Sequence, residues 1–210
     1  MEADFWHKRW DAGQIGFHQG KPNAFLVDHL KTLNLPKGAR IFLPLCGKTL
    51  DIAWLLAEGY HVIGAELSAI AIDQLFEELG VTPQTTELGP LKQLSADSID
   101  IYVGDIFDLT QDILGPIDLT YDRAAFVALP TSMRANYAEH LTAITDNAPQ
   151  LLITFQYDES LITGPPFSIP HKDVHALYDT AYVVDHLAHK DAEGGVKGHP
   201  ATEEIWHLKC

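Results

Sequence analysis

The stretch Ile41–Ser68, IFLPLCGKTLDIAWLLAEGYHVIGAELS, reads as strand, glycine turn, helix, strand and then an acid. Ile41, Phe42 and Leu43 make a short apolar run of the kind that forms a buried strand. Gly47 breaks it, Leu50–Leu56 returns to helical apolar spacing, and Gly59 ends that helix. Val62, Ile63 and Ala65 form a second buried run, and Glu66 stands where it runs out, 19 residues after Gly47. A βαβ unit closed by an acid at this spacing is a nucleoside pocket, because the carboxylate accepts hydrogen bonds from both ribose hydroxyls.

Three cofactors share this layout, and the glycines separate them. A dinucleotide pocket wants G-x-G-x-x-G, so that backbone N–H groups approach a pyrophosphate. The turn here, Pro44-Leu45-Cys46-Gly47-Lys48-Thr49, has one glycine. Gly47-Lys48-Thr49 imitates the end of a P-loop, but that motif needs a further glycine where this chain has Phe42. S-adenosylmethionine carries no phosphates and needs one close backbone approach, so a single glycine suits it best. An ordinary βαβ turn without a cofactor also fits the pattern taken alone.

Composition narrows the function classes. A chain of 210 residues, 46% hydrophobic and 20% charged, has the size and balance of one ordered α/β domain. The net charge of −15 argues against nucleic acid and anionic membranes as partners, since both ask for a basic face. No apolar run approaches the roughly 20 residues of a membrane helix, and the N-terminus MEADFWHKRW has no apolar core of a secretory signal. Of the two cysteines, Cys46 sits in the glycine turn and Cys210 ends the chain, which reads as free thiols in a reducing cytoplasm.

Outward from the βαβ unit, the first 35 residues precede the sheet. Asp4 is positioned to cap a helix carrying Phe5, Trp6 and Trp10; a loop punctuated by Gly13, Gly16 and Gly20 follows, then a helix over about Asn23–Leu33. Ser68 caps a helix carrying Ile72, Leu75, Phe76 and Leu79. Strands are expected at Ile99–Val103, Ile117–Tyr121 and Leu151–Phe155, helices at Ser132–Ile144 and His171–Tyr178, and an antiparallel pair at Tyr182–His186 and Glu204–Leu208. Strands alternating with helices give a doubly wound parallel sheet, whose ligands sit beyond the strand carboxyl ends. That rule puts Leu45–Gly47, Glu66, Asp105–Ile106 and Asp122–Arg123 along one rim.

With the rim assembled, FWHKRWDAGQIGFHQ, FLPLCGKTLDIAWL, VIGAELS, GDIFDL, YDRAAFVALP and GPPFSIP, in this order, resemble the thiopurine S-methyltransferase family, in particular its bacterial members. The match covers roughly Phe5 to Pro170. The resemblance implies a class I S-adenosylmethionine-dependent methyltransferase: a Rossmann-like, mostly parallel seven-stranded sheet with an antiparallel last strand, in a single domain over 1–210 with 1–35 as a helical lid. It implies S-adenosylmethionine as methyl donor and a small aromatic or heterocyclic thiol as acceptor; bacterial members are also associated with methylating selenium and tellurium compounds. By matching position, Trp10 covers the cofactor, Leu45 supplies the backbone contact at the turn, Glu66 is the ribose acid and Ile106 lines the adenine. Arg123 falls among the same cofactor contacts on the acceptor side, and Phe17 packs near the acceptor. The loop before the last strand, with His189-Lys190-Asp191 and Lys197-Gly198-His199, lacks the arginine some members carry, which bears on acceptor choice.

Methyl transfer from a sulfonium needs alignment and exclusion of water, and alignment alone supplies roughly 7–11 kcal/mol. A readily ionised thiol asks for little basic help, so the absence of an obvious nucleophile–base pair is consistent with it. Arg123 is the catalytic candidate, stabilising the acceptor anion, with Asp122 or Asp11 to orient it. Asp105 is either an adenine contact or a turn cap. Among the eleven histidines, His171/His175 and His186/His189 have ligand-like spacing, but no adjacent acid or cysteine completes a set, so no metal is expected. Rival readings are a same-fold methyltransferase acting on oxygen, nitrogen or a metalloid, a non-catalytic S-adenosylmethionine binder, and an NAD-dependent oxidoreductase. A monomer in the cytoplasm is expected.

Overall fold

A computed structural model describes residues 3–15 and 19–210, which group into two compact units, Met1–Asp118 and Leu119–Cys210. The first opens with helices α1 (Ala3–Asp11) and α2 (Ala24–Leu30), the latter running into a 3-10 turn at Lys31–Leu33. Strand β1 (Arg40–Pro44), helix α3 (Leu50–Ala57), strand β2 (His61–Glu66) and helix α4 (Ala69–Leu79) form the expected βαβα run. Strands β3 (Gln84–Leu88), β4 (Leu91–Ala96) and β5 (Ile99–Val103) follow, then a 3-10 turn at Ile106–Asp108 and the short α5 (Gln111–Leu114). Within this unit the strand order is β3-β4-β5-β2-β1. β1, β2 and β5 are parallel, with Ile41 beside Val62 and Val62 beside Ile99, while β3 and β4 add an antiparallel hairpin at the edge.

Local chemistry fixes the boundaries. Ile41, Phe42, Val62 and Ile63 are fully buried, as continuous apolar runs covered on both faces should be. The Thr49 hydroxyl accepts from the Asp51 N–H to start α3, and Ser68 Oγ accepts from the Ala71 N–H to start α4, which Gly80 closes at φ 70°. The helix expected over Asn23–Leu33 is split: Asn23 caps α2 through the Phe25 N–H, and the last three residues tighten to 3-10. Asp4 lies inside the first turn of α1 rather than capping it, where its charge still favours the helix dipole.

The second unit contains β6 (Leu119–Asp122), a 3-10 turn at Phe126–Ala128, α6 (Thr131–Ile144), β7 (Gln150–Gln156), α7 (His171–Tyr178), β8 (Val183–Asp191) and β9 (Thr202–Lys209). Its strand order is β6-β7-β9-β8. β6 and β7 are parallel, and β9 runs antiparallel to both β7 and β8, as the closing pair requires. Ile117, expected to begin β6, is half-buried and precedes it, because the chain leaves Gly115-Pro116 in loop conformation. Among the described residues no helix is long and apolar enough to cross a membrane.

Candidate functional site

β1 ends at Pro44, and the chain turns through Leu45 at φ 46° and Gly47 at φ 52°. The Cys46 N–H donates to the Ala65 carbonyl at 3.0 Å, docking the turn on β2. The Gly47 N–H donates to Glu66 Oε2 at 2.8 Å, and the Ser68 N–H to Glu66 Oε1 at 2.9 Å. The Gly104 N–H, just past β5, donates to the Glu66 carbonyl at 2.9 Å. One residue therefore ties together the carboxyl ends of β1, β2 and β5. Gly64 makes room for this: a Cβ there would stand 2.9 Å from Cys46 Sγ.

Glu66 is 6% exposed. Burial pushes its carboxyl above the ordinary range, against the pull of the Ser68, Gly47 and Leu67 N–H groups. Each oxygen holds one of these backbone donors and retains a further lone pair, so the carboxylate can still accept from a vicinal diol. These remaining acceptor positions fit a ribose diol. The turn does not fit a P-loop: Lys48 ion-pairs with Glu78 at 2.6 Å, and Thr49 is spent capping α3.

Trp10 is 5% exposed and lies against the turn, its Cζ2 3.0 Å from where a Gly47 Cβ would be. Only glycine at that position admits both the left-handed backbone and the indole. His7, one helical turn earlier, sits 3.4 Å from the Leu67 carbonyl, so α1 crosses the end of β2 as well. Phe5 and Trp6 meet edge to face at 5.2 Å, with the Arg9 guanidinium 4.7 Å from the Phe5 ring. Ile106 is buried in its 3-10 turn, and Asp105 caps that turn by accepting the Phe107 N–H at 3.0 Å, the structural one of its two expected roles. Trp10, Leu45, Glu66 and Ile106 thus gather at one end of the first unit. Phe17 lies outside the described residues.

In the second unit, Asp122 is fully buried at the end of β6. Its Oδ1 accepts the Phe126 N–H at 3.0 Å and its Oδ2 the Tyr137 hydroxyl at 2.7 Å. Burial raises its pKa to about 6 despite these bonds. It staples the 3-10 turn to α6, a structural duty the sequence did not reveal. Arg123 is half-buried in the bend that follows, before Ala124 at φ 64°. A cleft of about 380 Å³ opens beyond β7, lined by Gln156, Tyr157, Ser168, Pro170 and Thr202. The Tyr157 hydroxyl donates to the Pro166 carbonyl at 2.6 Å, so the Gly164-Pro165-Pro166-Phe167 loop is anchored to a residue of that cleft. Tyr157 escaped the sequence reading because a tyrosine just after a strand carries no spacing signal.

The chain matches the family model described as thiopurine S-methyltransferase over residues 1–206. It is 56% identical to the thiopurine S-methyltransferase of Xanthobacter autotrophicus, covering 100% of this chain and 99% of that protein. It is 48% identical to the one from Teredinibacter turnerae, covering 99% and 97%. Among solved structures, it is similar to magnesium protoporphyrin IX methyltransferase from Synechocystis with bound S-adenosylhomocysteine: TM-score 0.66, 12% identity, 99% and 98% coverage. A SAM-dependent methyltransferase from Anabaena variabilis gives a TM-score of 0.63 at 16% identity, with 99% and 95% coverage. At such identities these structures establish the fold, the α/β class I arrangement of S-adenosylmethionine-dependent methyltransferases.

Proposed function

The chain belongs to the thiopurine S-methyltransferase family, and from that premise we propose that it methylates the sulfur of aromatic or heterocyclic thiols, thiopurines among them. The observation that carries this reading is Glu66, an acceptor-only carboxylate buried where three parallel strands end. S-adenosylmethionine supplies, when bound, a methyl group made electrophilic by a sulfonium. Glu66 holds the ribose diol, the Leu45–Gly47 turn offers backbone groups to the amino-acid end, and Ile106 gives the adenine an apolar wall. Trp10 turns an aromatic face to a cation and excludes water. Arg123 stabilises the acceptor thiolate by charge and hydrogen bonding and counts among the cofactor contacts, with Phe17 beside the acceptor; both roles rest on the family match.

The same reading takes 1–210 as one methyltransferase domain with 1–35 as its N-terminal lid, supported by the unbroken match over 1–206 and by Trp10 on the glycine turn. It takes the protein as a cytoplasmic monomer acting on a small molecule and not on nucleic acid, in keeping with a net charge of −15.

The test is formation of S-adenosylhomocysteine from S-adenosylmethionine with a mercaptopurine as acceptor. Turnover should be present in the wild type and lost in Glu66→Ala together with cofactor affinity. Arg123→Ala should lower turnover more than cofactor affinity. Cofactor binding without turnover on any aromatic thiol would overturn the acceptor class and leave the pocket; an Arg123→Ala enzyme as fast as wild type would remove that residue from the chemistry.

A further inference from the structure

The second unit brings together histidines that the sequence sets apart. Alternate residues of a strand share a face, so Glu204 and Trp206 of β9 point the same way while Glu203 points the other. His186 of β8 is in register with Trp206, and the irregularity between His186 and Ala188 brings His189 to stack on it, ring centroids 5.8 Å apart and planes within 10°. His171, the first residue of α7, meets the Trp206 ring edge to face at 4.7 Å and the His186 ring at 4.9 Å. Of the histidines with ligand-like spacing, His175 shares the α7 face but is held by Asp179 at 2.9 Å. Instead one ligand atom from each of His171, His186 and Glu204 lies within 4.8 Å of the others, and this is the group of metal-ligating side chains found among the described residues.

Glu204 is what separates this cluster from surface packing. The neighbouring acids are buried alike, each 4% exposed, but on opposite faces they meet different fates. Glu203 is neutralised by Lys190 at 3.1 Å. Glu204 reaches His171 Nε2 with Oε1 at 2.9 Å, while its Oε2 is buried without a hydrogen-bond partner. A buried carboxylate oxygen left unsatisfied is costly, and a cation at the cluster would satisfy it.

We propose that His171, His186 and Glu204 bind a divalent transition-metal ion of the Zn²⁺ class, separately from the methyl-transfer site. Two imidazoles and one carboxylate are an accepted zinc set, with a fourth position for water. Bonds of about 2.0–2.1 Å require the three ligand atoms to close in, a movement within reach of the solvent-exposed His171 side chain. Metal bound at the ring nitrogen takes the place of the hydrogen bond between His171 and Glu204, and each ring coordinates through a nitrogen that carries no proton. The Trp206 indole, its N–H fixed on Thr154 Oγ1 at 2.9 Å, forms the apolar wall of the site. Bound metal would clamp α7, β8 and β9 together.

Calorimetric titration of chelator-treated full-length protein with ZnCl₂, paired with thermal unfolding, tests this. Wild type should bind one equivalent and gain thermal stability; His186→Asn and Glu204→Gln should each weaken binding at least tenfold. Because Glu204 is buried and its variant can fail to fold, His171→Asn at the exposed start of α7 carries the same expectation, and His29→Asn in the first unit should bind as wild type does. Cobalt substitution should give visible ligand-field absorption that His171→Asn abolishes. No saturable binding by wild type, or equal binding by the folded His171→Asn and His186→Asn variants, would overturn the proposal.

Discussion

Two buried carboxylates close strands in this protein, and what each accepts decides its role. Glu66 sits among the N–H groups of Gly47, Leu67 and Ser68 at the strand ends; Asp122 is enclosed, receiving backbone N–H groups of the following turn and the Tyr137 hydroxyl. Asp122 titrates at about 6 in the folded chain against 3.8 ordinarily, so the folded state holds its proton more tightly than the unfolded state. Its contribution to stability is therefore fully present below about pH 4 and lost as pH rises through 6. Asp122→Asn removes that loss while keeping an acceptor for the Phe126 N–H. Relative to wild type, the variant should gain about 2–3 kcal/mol between pH 4 and pH 7, at about 1.4 kcal/mol per pKa unit. Urea unfolding of both proteins at the two pH values measures it, and parallel changes in both would refute the assignment. Tyr137 joins Asp122 from 15 residues away, which is why sequence spacing led to a role in orienting the acceptor and missed the staple.

Elements were legible where burial wrote itself into continuous apolar runs. β1, β2 and β7 carry such runs, while β5 (interrupted by Asp100) and β6 (Leu-Thr-Tyr-Asp) were read from alternating apolar residues; Glu66 could be recognised because it follows one of the continuous runs directly. β3 and β4 were not legible: β3 is exposed along most of its length, and β4 buries mainly Leu91 and Leu94, so QTTELGPLKQLSA reads as polar loop. The 3-10 turns are too short to establish a period. The histidine cluster was hidden for a different reason, since its acid lies 33 residues from its first ligand and only the β8–β9 register joins them. Gly64 shows how tightly the legible part is packed. Its backbone is ordinary, but an added Cβ would stand 2.5 Å from Ile101 Cδ1 and 2.9 Å from Cys46 Sγ, both buried. Gly64→Ala should cost about 1–3 kcal/mol from overpacking, read as a lowered melting temperature, and Cys46→Ala in the same chain should recover part of it. A variant as stable as wild type would mean that the glycine turn can retreat from β2 freely.

At the scale of the whole molecule, the net charge of −15 acts on the two substrates in opposite directions. A thiolate acceptor approaches against the field of the protein, whereas a sulfonium cofactor is drawn by it. Salt weakens both effects: the screening length falls from about 30 Å at 0.01 M to about 8 Å at 0.15 M. If the proposed anionic acceptor is correct, raising ionic strength over that range should lower its KM severalfold and leave the KM of an uncharged thione acceptor flat. Arg123→Ala should steepen the dependence for the anion, because a positive charge that offsets the field at short range is gone. Initial rates on a charged and an uncharged acceptor of similar size, across one salt series, separate this from a general salt effect on the enzyme. A KM for the thiolate that rises with salt would mean that local positive charge outweighs the fifteen net negatives where the acceptor binds, and acceptor choice would then be set by the few residues around the sulfur and not by the field of the chain.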